Sequence, residues 1–150
     1  MPTILLLGCV KQKRDAASEA KSLYRSPLWQ RRRAYAEASS RPWLILSALH
    51  GLVEPEQLLE PYDLALTDLP VGERRAWGAR VVEALEGRFG QLQGTTFEVH
   101  AGKAYRHAIE GGLSERGAMM SAPLARLPLG RQLAWYANHN RPDGTATNRN

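Results

Sequence analysis

Thr3-Ile4-Leu5-Leu6-Leu7-Gly8 is a continuous apolar run closed by a glycine. A strand with one wet face alternates apolar and polar residues, whereas an unbroken run has no wet face and suits a strand buried on both sides. Trp43-Leu44-Ile45-Leu46-Ser47 repeats the pattern. Both runs are far shorter than the roughly 20 residues a membrane helix requires. Thr95 to His100 alternates and is rich in β-branched and aromatic residues, which predicts a third strand, and residues 119–122 supply a fourth. Between the strands lie helical patterns. Residues 16–24 are rich in Ala, Glu, Lys and Leu. Ser26-Pro27 is an N-cap followed by proline at the first helical position and opens a helix through Ala38. Residues 70–89 carry Trp77, Val81, Leu85 and Phe89 on one stripe. A short helix is expected from Lys103 to Ile109, stopped by Gly111-Gly112, and a last one over residues 129–138. Strand and helix alternating in this way predict an α/β fold: a three-layer sandwich with a mostly parallel, four-stranded central sheet covered by helices on both faces.

A chain of 150 residues fits one domain, since at this length about 68–70% of the unfolded surface is buried on folding. The expected division is a single α/β domain over residues 1–140 and a flexible tail over 141–150, which is rich in Pro, Asp, Gly, Thr and Asn. Residues 50–69 are expected to form a long ordered loop, and loops of that length in compact domains tend to be functional. Cys9 is the only cysteine, which excludes an intrachain disulfide. With no secretory pattern at the start, a reducing cytoplasm is the expected compartment. No membrane partner is expected.

The net charge is +5, and its distribution is uneven. Residues 1–41 hold nine basic side chains against three acidic ones, while the remaining 109 hold eleven against twelve. The excess is therefore local, as expected for an anion-facing surface, although a solvated basic helix face has the same composition. Arg31, Arg32 and Arg33 are the expected phosphate contacts.

Ligands of open α/β sheets bind beyond the carboxyl ends of the strands, so the residues that follow each strand are the first candidates. After the first strand come Cys9, Lys11 and Lys13; after the second, Ser47, His50 and Gly51; after the third, His100, Gly102, Lys103 and Tyr105. Strand exits are also polar simply because they are loops. Gly102-Lys103 places a glycine before a helix start, where backbone N–H groups and the helix dipole favour an anion. It matches neither a P-loop nor a dinucleotide fingerprint. Lys11 and Lys13 would favour a thiolate at Cys9, while a lone cysteine also serves as a small buried apolar residue. His50 is placed to act as acid, base or phosphate donor, or to cap its turn. Tyr62-Asp63 offers an aromatic face and an acceptor suited to a nucleobase or sugar, or a packed tyrosine beside a turn aspartate. His50, His100, His107 and His139 show no zinc spacing, so no metal is expected, and no cofactor either. His107 falls on a helix away from the strand exits.

Several segments together, Gly8-Cys9-Val10-Lys11, residues 20–29, residues 43–52, Pro55, Pro61-Tyr62-Asp63, Ala101-Gly102-Lys103-Ala104-Tyr105 and Pro123-Leu124 leading to Gly130, resemble an uncharacterised family of bacterial and phage proteins. The resemblance covers nearly the whole chain. The segments around His50 and Tyr62 are more distantly similar to the peroxide-stress DNA-binding family and to an accessory domain of archaeal tRNA base-modifying enzymes, which work near nucleic acid. The resemblance implies that Cys9, Lys11, Ser47, His50, Gly51, Tyr62, Asp63, Gly102 and Tyr105 line a shared pocket. Leu49 stands where that family often has lysine.

The expected function is that of a nucleotide- or nucleic-acid-directed enzyme of the hydrolase class, with an N-glycosidic bond as its target. His50, Asp63 and Cys9 are the catalytic candidates; Lys11, Lys13, Ser47, Gly51, Tyr62, Gly102, Lys103 and Tyr105 are the substrate-binding ones. A non-catalytic nucleic-acid-binding module and a redox sensor built on Cys9 are the alternatives.

Overall fold

The computed structural model describes residues 2–11 and 13–140; the tail expected over 141–150 lies outside the described residues. In chain order the strands are β1 (Thr3–Gly8), β2 (Ser18–Glu19), β3 (Trp43–Ser47), β4 (Gly51–Val53), β5 (Leu58–Leu59), β6 (Thr96–His100) and β7 (Met119–Ser121). The helices are α1 (Ala20–Leu23), α2 (Pro27–Ala38), α3 (Val71–Phe89), α4 (Lys103–Glu115) and α5 (Leu129–His139), with a short 3-10 turn at Leu66–Asp68.

Ile4 through Leu7 are no more than 4% exposed, and the reason is position. β1 is the middle strand of a five-stranded sheet ordered β4-β3-β1-β6-β7. It runs parallel to β3 and to β6, and β6 runs parallel to β7, while β4 returns antiparallel to β3. All four expected strands are present. The sheet nonetheless has five strands, because the segment after His50 folds back on β3 as a hairpin instead of leaving as loop. Gly51, with φ +76°, supplies the left-handed turn that allows this. The core is one cluster reaching from Ile4 to Ala118, with Trp29, Trp77, Tyr24 and Phe97 among its largest buried members.

Two helix expectations are corrected. Residues 16–24 have helical composition, but only Ala20–Leu23 is helical. Ser18 and Glu19 pair antiparallel with Leu59 and Leu58, and the Ala20 and Lys21 N–H groups donate to the Gln57 and Pro55 carbonyls. Tertiary partners thus override a weak propensity. Conversely, α4 does not stop at Gly111-Gly112. Glycine costs a helix about 1 kcal/mol, and here close packing offsets it. A side chain at Gly78 would lie 1.9 Å from the Ala108 carbonyl oxygen, so only glycine lets α3 and α4 approach this closely. Gly112 meets Val82, and Arg116 pairs with Glu86 at 2.9 Å. The three contacts keep one spacing along both chains, so α3 and α4 run parallel with their N-termini at the same end. On the sheet's other helix pair, α2 packs against α5.

The order of the sheet also locates its switch point. From β1 the chain moves outward to β3, then crosses back to β6 and β7 on the opposite side. The exits of β1 and β6 are therefore where such folds admit ligands.

Candidate functional site

Cys9 leaves β1 with its N–H donating to the Leu46 carbonyl, and its Sγ lies 3.3 Å from the Tyr105 hydroxyl in the first turn of α4. Tyr105 in turn sets its ring edge against Trp77 of α3 at 5.5 Å. The segment after β1 doubles back: Lys13 bridges to Tyr24, and the Arg14 N–H donates to the Leu23 carbonyl at 2.8 Å. This carries the Lys13 ammonium over the Tyr62 ring, 4.3 Å from its centroid, a cation–π arrangement.

Beneath Lys13 three hydroxyls stand in a row. Tyr24 and Tyr62 are 2.7 Å apart through their hydroxyls, and Tyr62 and Ser47 are 2.8 Å apart. Ser47 also accepts the His50 N–H at 3.0 Å, which closes the β3–β4 turn, and its carbonyl accepts the Trp77 indole N–H. Three hydroxyl protons serve two hydrogen bonds, so one donor is left over for a further acceptor. Burial pushes Tyr24 up to about 12, with the neighbouring Cys9 contributing next. Tyr62 and Tyr105 are raised further, by burial first and then by Cys9. Lys13 is held below the usual lysine range by burial, against the opposing pull of Cys9 and Asp63.

Cys9, Lys13, Ser47, Tyr62 and Tyr105 are thus brought together, and Gly51 sits in the turn beneath them. His50 is exposed at the hairpin tip with its ring 5.5 Å from that of Tyr62. Asp63 is exposed next to Tyr62, and Lys11 is exposed, its carbonyl accepting from the Lys13 ammonium. Gly102 is the N-cap of α4. Lys103 is not part of the cluster; it lines a separate cleft with His107 on the far side of the α4 first turn.

The arginine triplet does not form one phosphate surface. Successive helical residues point about 100° apart, and the three side chains separate accordingly. Arg31 is exposed, Arg32 is 7% exposed with its Nη1 donating to the Gly8 carbonyl at 2.8 Å, and Arg33 pairs with Glu37. The cations nearest the hydroxyl row are others. Lys13 and Arg25, with Ser26 and Gln30, line a groove of about 560 Å³, and Arg14, Asp15, Arg25 and Tyr24 line an adjoining one of about 350 Å³. Tyr24 and Trp77 escaped the sequence reading because each looks like an ordinary inward residue of a helical stripe.

His100 belongs to a different network. Its Nε2 is 2.7 Å from a Glu98 carboxylate oxygen and its Nδ1 is 2.6 Å from the Tyr136 hydroxyl, while the Tyr35 hydroxyl donates to Glu98 at 2.7 Å. Burial alone would raise Glu98; hydrogen bonds from His100 and Tyr35 outweigh it and hold the carboxyl below the usual carboxylate range. Burial pushes Tyr136 up to about 12 against the pull of the Arg32 guanidinium.

These features define an α/β domain with a mostly parallel sheet and a hydroxyl-rich cluster at the exits of β1 and β3. The chain belongs to DUF6884, a family of unknown function, whose model matches residues 4–138. No curated protein matches it. Among the described residues, no helix is long and apolar enough to cross a membrane.

Proposed function

We propose that this chain is a nucleotide- or nucleic-acid-directed enzyme that hydrolyses an N-glycosidic bond at the rim formed by the β1, β3 and β6 exits. The sheet is then the middle of three layers, with α2 and α5 on one face and α3 and α4 on the other. One observation carries the reading: Lys13 stands over the Tyr62 ring above a hydroxyl row that has a donor to spare, beside grooves lined by Lys13, Arg14 and Arg25. A phosphate would lie in those grooves, and a base or sugar would meet the Tyr62 edge. His50 and Asp63, both exposed beside Tyr62, are the groups that would orient water. Water adds to the anomeric carbon, the bond to the base nitrogen breaks, and the proton taken from water passes to the departing base.

A second reading, a non-catalytic nucleic-acid-binding module, is favoured by the degree to which the polar groups satisfy one another. The three hydroxyls bond mutually and Cys9 is committed to Tyr105. The same commitment, with Cys9 only 9% exposed, weakens the redox-sensor alternative, since a reactive thiol needs access.

The two main readings separate by experiment. Chromatographic assay of free base, released from nucleotides and single-stranded oligonucleotides, is expected to detect turnover by the wild type. Asp63→Asn should abolish that turnover, while oligonucleotide affinity by fluorescence anisotropy stays within twofold. Affinity should fall steeply between low and moderate salt through counterion release. Salt-independent binding would remove the phosphate component, and binding without any base release would leave the module reading.

A further inference from the structure

We infer that the cleft between the N-terminal ends of α3 and α4 is a separate binding site for a phosphate group carried on an apolar body, of the nucleoside monophosphate class. The cleft follows from the helix packing. Beyond the Gly78–Ala108 contact the two parallel helices are zipped together; on its N-terminal side they leave a space of about 500 Å³. Arg74, Arg75, Lys103 and His107 line it, and no carboxylate does.

Its charge is uncompensated. Among the described residues the ion pairs of α3 and α4 lie away from the cleft, Arg88 with Glu54 and Arg116 with Glu86, and none involves Arg74, Arg75 or Lys103. The Nε of Arg74, on a side chain that is otherwise partly exposed, is shielded from solvent and has no hydrogen-bond partner among the described residues. Both helix ends add to the charge. The N-caps are Pro70 and Gly102, neither of which has a side chain able to accept from the first-turn N–H groups. The first turns of both helices, of 19 and 13 residues, border the cleft through Val71 and through Lys103 and Ala104, which puts their partial positive charge near it. An anion suits this set of cations.

Size and lining specify more than an anion. Small-molecule sites span about 300–1,000 Å³, so this cleft holds a body beyond the phosphate. Val71, 61% exposed, with Ala104 and Ala108 gives that body an apolar wall. The α4 first turn connects the two sites, with Lys103 and Ala104 facing the cleft and Tyr105 facing Cys9. The nucleoside identity of the ligand rests on the proposed function; the cationic cleft itself does not.

Isothermal titration of the full chain with AMP, GMP, CMP and UMP, with adenosine and with inorganic phosphate tests the assignment. At least one monophosphate should bind the cleft at least tenfold more tightly than inorganic phosphate, and adenosine should not bind it. Lys103→Gln and Arg75→Gln, both at exposed positions, should each weaken that binding at least fivefold, Arg74→Gln by more, and Arg131→Gln, at an exposed position of α5, by less than twofold. Wild-type affinity in both Lys103→Gln and Arg75→Gln would overturn the site. Equal binding of phosphate and every monophosphate would overturn the ligand class, as would an oligonucleotide that outcompetes them through the same residues. Base release surviving in Lys103→Gln would separate this cleft from the rim site, whereas monophosphate binding in a chain that releases no base would leave the cleft standing and the hydrolase reading fallen.

Discussion

The exits of β1 and β3 and the exit of β6 each hold a buried polar network, and they are built on different chemistry. The first, Tyr24–Tyr62–Ser47 under Lys13, is a row of neutral hydroxyls with a proton to spare and with grooves alongside. The second is ionic and closed. Tyr35 and His100 both serve one Glu98 oxygen, with the imidazole Nε2 toward Glu98 and its Nδ1 toward the Tyr136 hydroxyl. Tyr35, His100 and Tyr136 are each bonded to a neighbour, and the space left beside them, about 30 Å³, is the size of a water. A closed network around one carboxylate fixes structure, because removing a member leaves its buried neighbours without their hydrogen-bond partner. An open hydroxyl row tolerates a change of partner, as binding requires.

The contrast predicts an ordering of stabilities, measurable by chemical denaturation. The largest effect is expected for Glu98→Ala, which leaves His100 and Tyr35 buried without their acceptor and should cost about 3 kcal/mol. Its acid dependence follows from the depressed carboxyl. Because the folded value lies below the unfolded value of about 4.3, the stabilisation is complete above that pH and is lost as pH falls through the folded value. The gap between wild type and Glu98→Gln should therefore narrow on acidification; a gap that stays constant would show that the charge on Glu98 contributes nothing. Tyr62→Phe comes next. It deprives Tyr24 and Ser47 of a shared partner, but the two can rebond elsewhere, so a loss of about 1 kcal/mol is expected. A loss as large as that of Glu98→Ala would erase the distinction between the networks. Smallest of all, Arg31→Gln, at an exposed helix position, should leave stability within about 0.5 kcal/mol of wild type.

How much of this was legible beforehand depended on the length of the signal. β1 and β3 are runs of apolar residues that fit nothing but buried strands, and the stripe of α3 was equally plain: Trp77, Val81 and Leu85 are buried as their spacing requires. β4 was hidden because it is three residues long and its pairing is decided by a glycine turn. The rim residues could be named because topology gathers strand exits wherever the helices fall. Tyr24 could not, because it enters the site only when Lys13 folds back beside it. Arg32 misled because three arginines in a row look alike as letters, while the helix sends one of them into the core. His107 was set aside for lying off the strand exits, and it lines the cleft between α3 and α4, a feature of how two helices meet rather than of either helix alone.

The Gly78–Ala108 contact has a practical outcome for anyone recombining members of this family. Because the two backbones touch there with no intervening side chain, the third and fourth helices form a matched set. A chimera that imports one of them from a donor carrying a bulkier residue at either position would force the pair apart and splay the ends that frame the cleft, so crossover points belong outside residues 71–115 and not between them.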